Sequence, residues 1–116
     1  MASSSPVNII DAAIDLLGIR NFLNAISSAS ELKFGKPHPE VYLNCAEELH
    51  STPTDCISFE DSFNGLISAK AARMKCVVVP AKDQSDEIKW NIADVKISSL
   101  QNFNESMLLA LDQQFG

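Results

Sequence analysis

The sequence predicts an α/β protein in which helices flank a parallel β-sheet. Residues 56–59 and 76–79 form two short apolar or β-branched stretches, and the segment between them carries apolar residues at helical spacing. The order strand, helix, strand is typical of a parallel sheet with right-handed crossovers. With 116 residues, 46% of them hydrophobic, the chain is expected to form a single domain over residues 1–116.

The N-terminal half predicts two helices and one short strand. Ser5 is placed to act as an N-cap, Pro6 fits a first turn, and Gly18 is typical of the position just beyond a helix. The buried stripe expected on this helix consists of Val7, Ile10, Ile14 and Leu17. Residues 22–26 predict a short strand, and the turn-rich residues 33–39 lead into a second helix. The buried residues expected on that helix are Tyr42, Ala46 and Leu49.

The C-terminal half continues the alternation of strands and helices. The strand at residues 56–59 is expected to be buried, and Pro80 ends the strand at residues 76–79. The buried residues expected on the third helix, between these strands, are Ile67, Ala71 and Met74. The polar residues 81–91 predict a surface loop or a ragged helix, and residues 95–97 predict a further strand. The buried residues expected on the last helix are Leu108, Leu111 and Phe115.

The charge and hydropathy of the chain exclude several classes of partner. Nine Lys and Arg against fifteen Asp and Glu give a formal charge of −6, which disfavours binding to nucleic acid and to anionic membranes. No apolar run approaches the ~20 residues that span a bilayer, and the first residues lack the features of a signal peptide. We therefore expect a cytoplasmic protein with no nucleic-acid or membrane partner.

Cys45, Cys56 and Cys76 are odd in number, show no Cys-x-x-Cys spacing and lie in apolar stretches. This pattern favours neither a disulfide framework nor a zinc site. Buried free thiols in a reducing compartment are expected.

Two adjacent carboxylates, Glu60 and Asp61, follow the strand at residues 56–59. Ligands of open parallel sheets bind beyond the carboxyl ends of the strands, so the pair is placed for a functional site. Adjacent acids repel each other, and a hard cation with oxygen ligands, such as Mg²⁺, relieves that repulsion. The same residues also fit the start of a helix near Phe63, with Ser62 as its cap.

Two further stretches carry candidate site residues. Lys36 precedes a proline in a turn, which restricts its backbone and favours an ammonium group directed at a phosphate or a carboxylate. His38, between two prolines, is expected to make a local loop contact, and His50 is expected to be exposed. Ser3 and Ser4 precede the first helix, where hydroxyls and free N–H groups favour an anion such as phosphate. A disordered tail would have the same serine-rich composition.

Three stretches together resemble motifs of the haloacid dehalogenase superfamily. Ala-Ser-Ser-Ser-Pro at residues 2–6 matches the second family motif, Lys-Pro-His-Pro-Glu-Val-Tyr at residues 36–42 the third, and Glu-Asp-Ser-Phe-Asn-Gly at residues 60–65 the fourth. They occur in the family order, and the similarity extends from Ala2 to about Leu100. Within the superfamily the chain resembles sugar-phosphate phosphatases and β-phosphoglucomutase-like enzymes, of the 2-deoxyglucose-6-phosphate or hexitol phosphatase type.

The resemblance implies a Rossmann-like core and a Mg²⁺-dependent hydrolase that acts on small sugar or sugar-alcohol phosphates. Ser3 and Ser4 would bind the transferring phosphoryl group, and Lys36 would balance the charge between that group and the nucleophile. Glu60 and Asp61 would hold Mg²⁺. In the family the phosphoryl group passes to an aspartate and then to water.

The chain departs from the family pattern at the nucleophile. The first family motif, Asp-x-Asp at the end of the central strand, occurs nowhere in the sequence. Asp11 and Asp15 fall on the first helix and are expected to be solvated helix acids. The helical cap that the family's phosphatases insert before the second motif also has no counterpart. We therefore expect the C-terminal part of a hydrolase core, inactive alone, that binds a complementary N-terminal segment or self-associates.

Two other functions agree with parts of the pattern. A non-catalytic module would use exposed sheet edges to bind a protein partner or to regulate a related enzyme. A phosphoacceptor receiver domain also combines acids, a hydroxyl and a Lys-Pro step. Receivers, however, place the acidic pair before the hydroxyl and the lysine, whereas here Ser3 and Lys36 come first.

Overall fold

Short parallel strands form two sheets in the computed structural model, which describes residues 1–113. In the first sheet β1 (Ala2–Ser3) pairs with β2 (Ser27–Ser28). The second sheet consists of neighbouring strands in chain order, β3 (Ile57–Glu60), β4 (Lys75–Val78) and β5 (Val95–Lys96). Parallel strands joined through helices confirm the predicted α/β class.

Helices connect and cover these strands. They are α1 (Val7–Leu17), α2 (Glu40–Glu48), α3 (Phe63–Ala71) and α4 (Glu105–Gln113). The larger core lies between α2, α3 and β4, and Val41, Leu66 and Cys76 are fully buried there. A smaller core lies on the opposite face of β4, where Val77 and Leu111 meet. Consecutive residues of β4 therefore enter different cores, as expected for an inner parallel strand.

None of the helices within residues 1–113 combines the length and the apolar character that crossing a membrane requires.

Helix α1 agrees only in part with its predicted stripe. Ile10 and Ile14 are buried, but Val7 and Leu17 are 52% and 68% exposed. A two-stranded sheet offers too little surface to cover a helix of 11 residues along its whole length. The N-cap is Pro6, without a side-chain hydrogen bond, so the predicted capping role of Ser5 is wrong. The end of the helix at a left-handed Gly18 is confirmed.

The predicted strand at residues 22–26 is wrong. A 3₁₀ turn occupies Arg20–Phe22, and the Phe22 side chain is 82% exposed. The strand lies further along the chain, at Ser27–Ser28, because the hydrogen bonds of β1 reach it there. Pairing with another strand, rather than local hydrophobicity, sets its position.

Strand β3 is less buried than predicted. It runs to Glu60 and alternates, with Ser58 and Glu60 buried and Phe59 43% exposed. The Phe59 ring packs edge-to-face on Phe103, with centroids 4.9 Å apart. Because β3 lies at the edge of its sheet, only part of its surface is covered.

The buried face of α3 is turned by one residue from the predicted stripe. Leu66 and Ala69 are fully buried, Ile67 is half-buried, and Ala71 is exposed. Met74 is buried but follows the end of the helix. Two other apolar residues predicted as buried are 40% and 44% exposed at the ends of their stripes, namely Leu49 and Leu108.

The C-terminal region mostly follows the prediction. Residues 81–91 contain the 3₁₀ turns Lys82–Gln84 and Ile88–Ile92. Trp90 is only 2% exposed, and its indole N–H donates to the Gln84 carbonyl at 2.8 Å, so this loop is anchored in the core. Phe115 lies outside the described residues.

All three cysteines are free thiols, as predicted, but they differ in exposure. Cys45 and Cys76 are buried, and Cys56 is partly exposed. Burial is the main reason that the pKa of Cys76 is raised to about 11.

Asp94 ties α3 to the second sheet. Its carboxylate accepts from Lys70 Nζ and from the Cys76 backbone N–H, both at 2.8 Å, and Lys75 Nζ lies 3.9 Å away. Burial alone would raise the pKa of Asp94, but these hydrogen bonds and positive charges together lower it below its ordinary value. Its side chain is only 15% exposed, so the interactions are partly shielded from solvent.

We predict that Asp94→Asn destabilises the fold at neutral pH and has little effect in acid. A carboxyl group whose folded-state pKa is depressed stabilises the fold above its unfolded-state pKa, and this stabilisation is lost as the pH falls through the folded-state pKa. The free energy of unfolding should drop by about 1–3 kcal/mol at pH 7, and the difference should shrink below about pH 4. Urea denaturation at a series of pH values from 7 down to 2 measures it, with exposed Asp83→Asn as the control. A loss that stays the same over this whole series would contradict the ionic role.

Candidate functional site

The ends of two strands from different sheets bring the predicted site residues together. Ser3 ends β1, and Glu60 ends β3. Lys36 lies in the loop before α2 and reaches both strands. Its peptide bond to Pro37 is cis. The tertiary structure thus joins Lys36 to Glu60 and to the Ala2 carbonyl, although these residues are far apart in the sequence.

Lys36 and Glu60 form a buried ion pair. Lys36 Nζ lies 2.6 Å from Glu60 Oε1, and the two side chains are only 12% and 7% exposed. The same ammonium group donates to the backbone carbonyl of Ala2 at 3.3 Å. Because the pair is withdrawn from water, its mutual attraction is stronger than at a surface, and loss of either partner would leave a buried charge.

Tyr42 is a site residue that the sequence analysis placed only in the core. Its hydroxyl donates to Glu60 Oε1, the oxygen that also accepts from Lys36. The Lys36 ammonium lies 5.1 Å from the centre of the Tyr42 ring. Burial, together with the hydrogen bond to Glu60, raises the pKa of Tyr42 and keeps its hydroxyl protonated. A tyrosine on a buried helix stripe was the available signal, because its hydroxyl needs a partner there.

The start of α3 is shaped around the Glu60 carboxylate. A side chain at Gly65 would overlap that carboxylate, so only glycine leaves room for it. The Ser62 hydroxyl accepts from the Gly65 N–H at 3.0 Å and caps the helix, which begins at Phe63 as predicted. The residue whose side chain caps the N-terminus of α3 is therefore Ser62.

Glu60 and Asp61 face different surroundings. Glu60 is held inside by Lys36 and Tyr42, whereas Asp61 is exposed. A cavity of about 300 Å³ lies beside the pair, and Phe59 and Leu100 are among its walls. Consecutive residues at a strand end project to opposite sides, which explains the difference.

A second cavity, of about 400 Å³, opens beside Lys36. Its walls are Ser4, Lys36, Ser62, Phe63 and Asn64. An ammonium group, hydroxyls and the first turn of α3 are suited to an anion such as a phosphate.

The serines divide between two environments. Ser4 lines this second cavity, whereas the Ser3 hydroxyl accepts from the Ser5 N–H at 3.1 Å. Ser28 donates to the Ser5 carbonyl at 2.6 Å and so fastens the same turn to β2. The loop that follows β1 is therefore ordered by its own hydrogen bonds.

The carboxylates of Asp61 and Glu60 are compatible with a hard cation, but among the described residues few other metal-binding side chains lie near them. Within residues 1–113 no three His, Cys, Asp or Glu side chains come together as a metal cluster. Mg²⁺ is commonly bound through one or two protein carboxylates, with water and phosphate oxygens completing its shell. Exposed Asp61 beside Glu60 fits that mode of binding.

Other polar residues play the local roles that were predicted for them. The His38 ring accepts from the Glu40 N–H at 3.1 Å and stacks on Phe34, and His50 is exposed. Asp11 and Asp15 both pair with Arg20 on the surface of α1, at 3.2 and 2.9 Å. They are solvated helix acids.

Comparisons with known proteins agree with the geometry. A family model described as haloacid dehalogenase-like hydrolase matches residues 1–73. Hexitol phosphatase B of Escherichia coli K12 is 41% identical over 94% of this chain and 49% of its own length. Fructose-1-phosphate phosphatase YqaB of the same organism is 35% identical over 68% of this chain and 42% of its own length. The chain thus spans about half the length of the curated relatives it matches.

Solved structures share the fold. CbbY from Rhodobacter sphaeroides, in complex with xylulose-(1,5)-bisphosphate, matches with a TM-score of 0.75 and 27% identity over 84% of this chain and 44% of that one. A hydrolase from Entamoeba histolytica matches with a TM-score of 0.82 over 96% of this chain and 52% of that one, at 20% identity. The family model and the identity to hexitol phosphatase B both cover most of the sequence. On this sequence and structural evidence, the chain belongs to the haloacid dehalogenase-like hydrolases.

Proposed function

We propose that this chain is part of a Mg²⁺-dependent phosphatase that hydrolyses small sugar or sugar-alcohol phosphates. The proposal is supported by relatives named hexitol phosphatase and fructose-1-phosphate phosphatase, and by a structural relative with a bound sugar bisphosphate. Its free thiols fit the reducing cytoplasm. The chain would supply the C-terminal part of the hydrolase core.

The observation that carries the proposal is the buried Lys36–Glu60 pair at the meeting point of β1 and β3. Lys36 also lines the cavity that Ser4 shares with the first turn of α3. A phosphoryl group in this cavity would meet an ammonium group, hydroxyls and backbone N–H groups. Fixed positive groups of this kind stabilise the charge that develops during phosphoryl transfer. Ser4 would bind the phosphate oxygens, and Lys36 would add positive charge beside them. The phosphate-binding role of Ser3 stays a prediction, because Ser3 is not part of this cavity wall and its hydroxyl accepts from the Ser5 N–H.

Glu60 and Asp61 would hold Mg²⁺. When bound, the ion would supply positive charge at the phosphate oxygens. Asp61 is exposed and would act as the direct ligand. Glu60, held in place by hydrogen bonds from Lys36 and Tyr42, would be the second carboxylate of the metal site, on its buried side.

The nucleophile of the proposed reaction has to come from a complementary segment. The sequence holds no Asp-x-Asp, and Asp11 and Asp15 pair with Arg20 on the surface. The aspartate of that segment would accept the phosphoryl group and water would then release it, so we expect the chain alone to be inactive.

A second candidate function is a non-catalytic module that binds or regulates another protein. Exposed apolar side chains on and after α1 favour it, notably Leu16 at 88% and Phe22 at 82% exposure. Phosphate release by a reconstituted enzyme would favour the phosphatase over this reading.

Asp61→Asn tests the metal site directly. Loss of one charged ligand should weaken the binding of Mn²⁺, used as a probe for Mg²⁺, by about tenfold or more. In an enzyme reconstituted with the half of hexitol phosphatase B that the chain does not span, Mg²⁺-dependent phosphate release should fall at least about a hundredfold. Asp55→Asn, at the other end of β3, is the matched control and should change neither. Unchanged Mn²⁺ affinity in the Asp61 variant would refute the assignment.

Gly65→Ala tests the placement of Glu60. The added methyl group would overlap the Glu60 carboxylate and force it away from Lys36 and Tyr42. We expect a loss of stability of about 1–3 kcal/mol, together with weaker Mn²⁺ binding. Ala71→Gly, at the exposed far end of the same helix, is the control for general destabilisation of α3. Normal Mn²⁺ affinity in the Gly65 variant would show that the Glu60 position does not matter for metal binding.

A further inference from the structure

The turn that carries Lys36 is closed by its own backbone. The His38 N–H donates to the Gly35 carbonyl at 2.9 Å, which closes a turn over residues 35–38, the Lys36 turn. The His38 ring accepts from the Glu40 N–H at 3.1 Å and so joins the turn to the start of α2. These local bonds fix the shape of the turn, but they do not fix its position relative to the sheets.

Two side chains join the Lys36 turn to distant parts of the fold. The Lys36 ammonium group donates to the Ala2 carbonyl and to Glu60, and so reaches both sheets. The Ser68 hydroxyl, on α3, donates to the His38 carbonyl at 2.7 Å. Ser68 therefore holds the backbone of the turn, two positions along the chain from Lys36.

The hydroxyl of Ser68 is not explained by its helix. Ser68 is fully buried, at 0% exposure, in the middle of α3. A serine inside a helix commonly faces water or bonds back to a carbonyl of its own preceding turn. Ser68 instead donates to another element of the fold. Alanine would occupy nearly the same space and is the better helix former, so the His38 carbonyl accounts for a serine here.

The Lys36 side chain by itself does not fix the direction from which its ammonium group approaches. A lysine side chain is a flexible four-carbon stem with several rotatable bonds. The ammonium group can therefore stay beside Glu60 while the backbone of the turn moves. An anchor on that backbone removes this freedom, and the hydrogen bond from Ser68 is such an anchor.

One face of α3 controls both partners of the buried ion pair. Gly65 and Ser68 are three positions apart, so they lie on the same side of the helix. Gly65 leaves room for the Glu60 carboxylate, and Ser68 holds the turn that carries Lys36. Leu66, which is fully buried, packs α3 into the larger core. The two charged groups are thus positioned from a single, well-packed helix.

We propose that Ser68 is a positioning residue for Lys36. Its hydrogen bond to the His38 carbonyl directs the Lys36 ammonium group to the cavity that Ser4 shares with the first turn of α3. Ser68 is not in the wall of that cavity, so it acts through Lys36. The inference deepens the proposed phosphatase, and for the action of Lys36 on a phosphoryl group it rests on the proposed function.

Acetylation of lysines in the folded chain tests the placement of Lys36 without phosphate chemistry. The chain is treated briefly with N-hydroxysuccinimidyl acetate, and mass spectrometry gives the rate at each lysine. Lys36 is only 12% exposed and is paired with Glu60, so it should react slowly in the wild type. In Ser68→Ala its rate should rise at least about threefold, because local opening of the turn frees the ammonium group.

Two controls separate this effect from a general loss of stability. Lys70 lies two positions from Ser68 on α3 and is itself in an ion pair, so its rate reports any loosening of the helix. Ser58→Ala is the matched variant, because the buried Ser58 hydroxyl also donates to a backbone carbonyl, that of Lys75 at 3.0 Å. It should leave the ratio of the Lys36 rate to the Lys70 rate unchanged.

Three labelling results would overturn the proposal. The first is an unchanged Lys36 rate in Ser68→Ala. The second is a parallel rise at Lys36 and Lys70, which would mean that the helix as a whole has loosened. The third is an equal rise at Lys36 in Ser58→Ala, which would mean that loss of any buried serine hydroxyl has this effect.

Kinetics of the reconstituted enzyme test the consequence for catalysis. A small displacement of a group that acts on the reacting phosphate lowers the rate, so kcat should fall about tenfold or more in Ser68→Ala. The KM for fructose 1-phosphate should change less than about twofold, and Ser58→Ala should keep both constants. An unchanged kcat in Ser68→Ala would also overturn the proposal. Faster labelling of Lys36 alone, with an inactive wild-type enzyme, would uphold the placement of Lys36 by Ser68 and reject the proposed function.

Discussion

The buried carboxylate of Glu60 is the constraint on which the site depends. It requires positive charge and hydrogen bonds in a region shielded from water, and Lys36 and Tyr42 provide both. To reach it, Lys36 draws the loop before α2 towards β1, where it also binds the Ala2 carbonyl. To leave room for it, α3 carries Gly65 in its first turn. The Glu60 carboxylate thus links both sheets to α2 and α3.

The same carboxylate divides the acidic pair into an inner and an outer member. Glu60 is already neutralised by Lys36, whereas Asp61 stands at the surface. The inner acid therefore positions a lysine, and the outer acid is open to solvent. The arrangement accounts for two adjacent acids without strong repulsion between them.

The two sheets are held together by side chains and by α2, not by backbone pairing between β1 and β3. Asp94 fastens the second sheet to α3, and the smaller core closes its far face. Because β3 lies at the edge of its sheet, its outer edge is open to further pairing.

The sequence by itself determined the α/β class, the helices, the strands at β3 and β4, and the three family motifs, because these are encoded locally by periodicity, capping residues and short patterns. The prediction from sequence placed β2 too early in the chain and rotated the buried face of α3 by one residue. Strand pairing and the direction of the core are set by distant residues, which local patterns do not show. Tyr42 as a partner of Glu60, and the different exposure of Glu60 and Asp61, were decided only by the tertiary structure. A hydrogen bond between residues 18 positions apart depends on how the chain folds, and no local pattern specifies it.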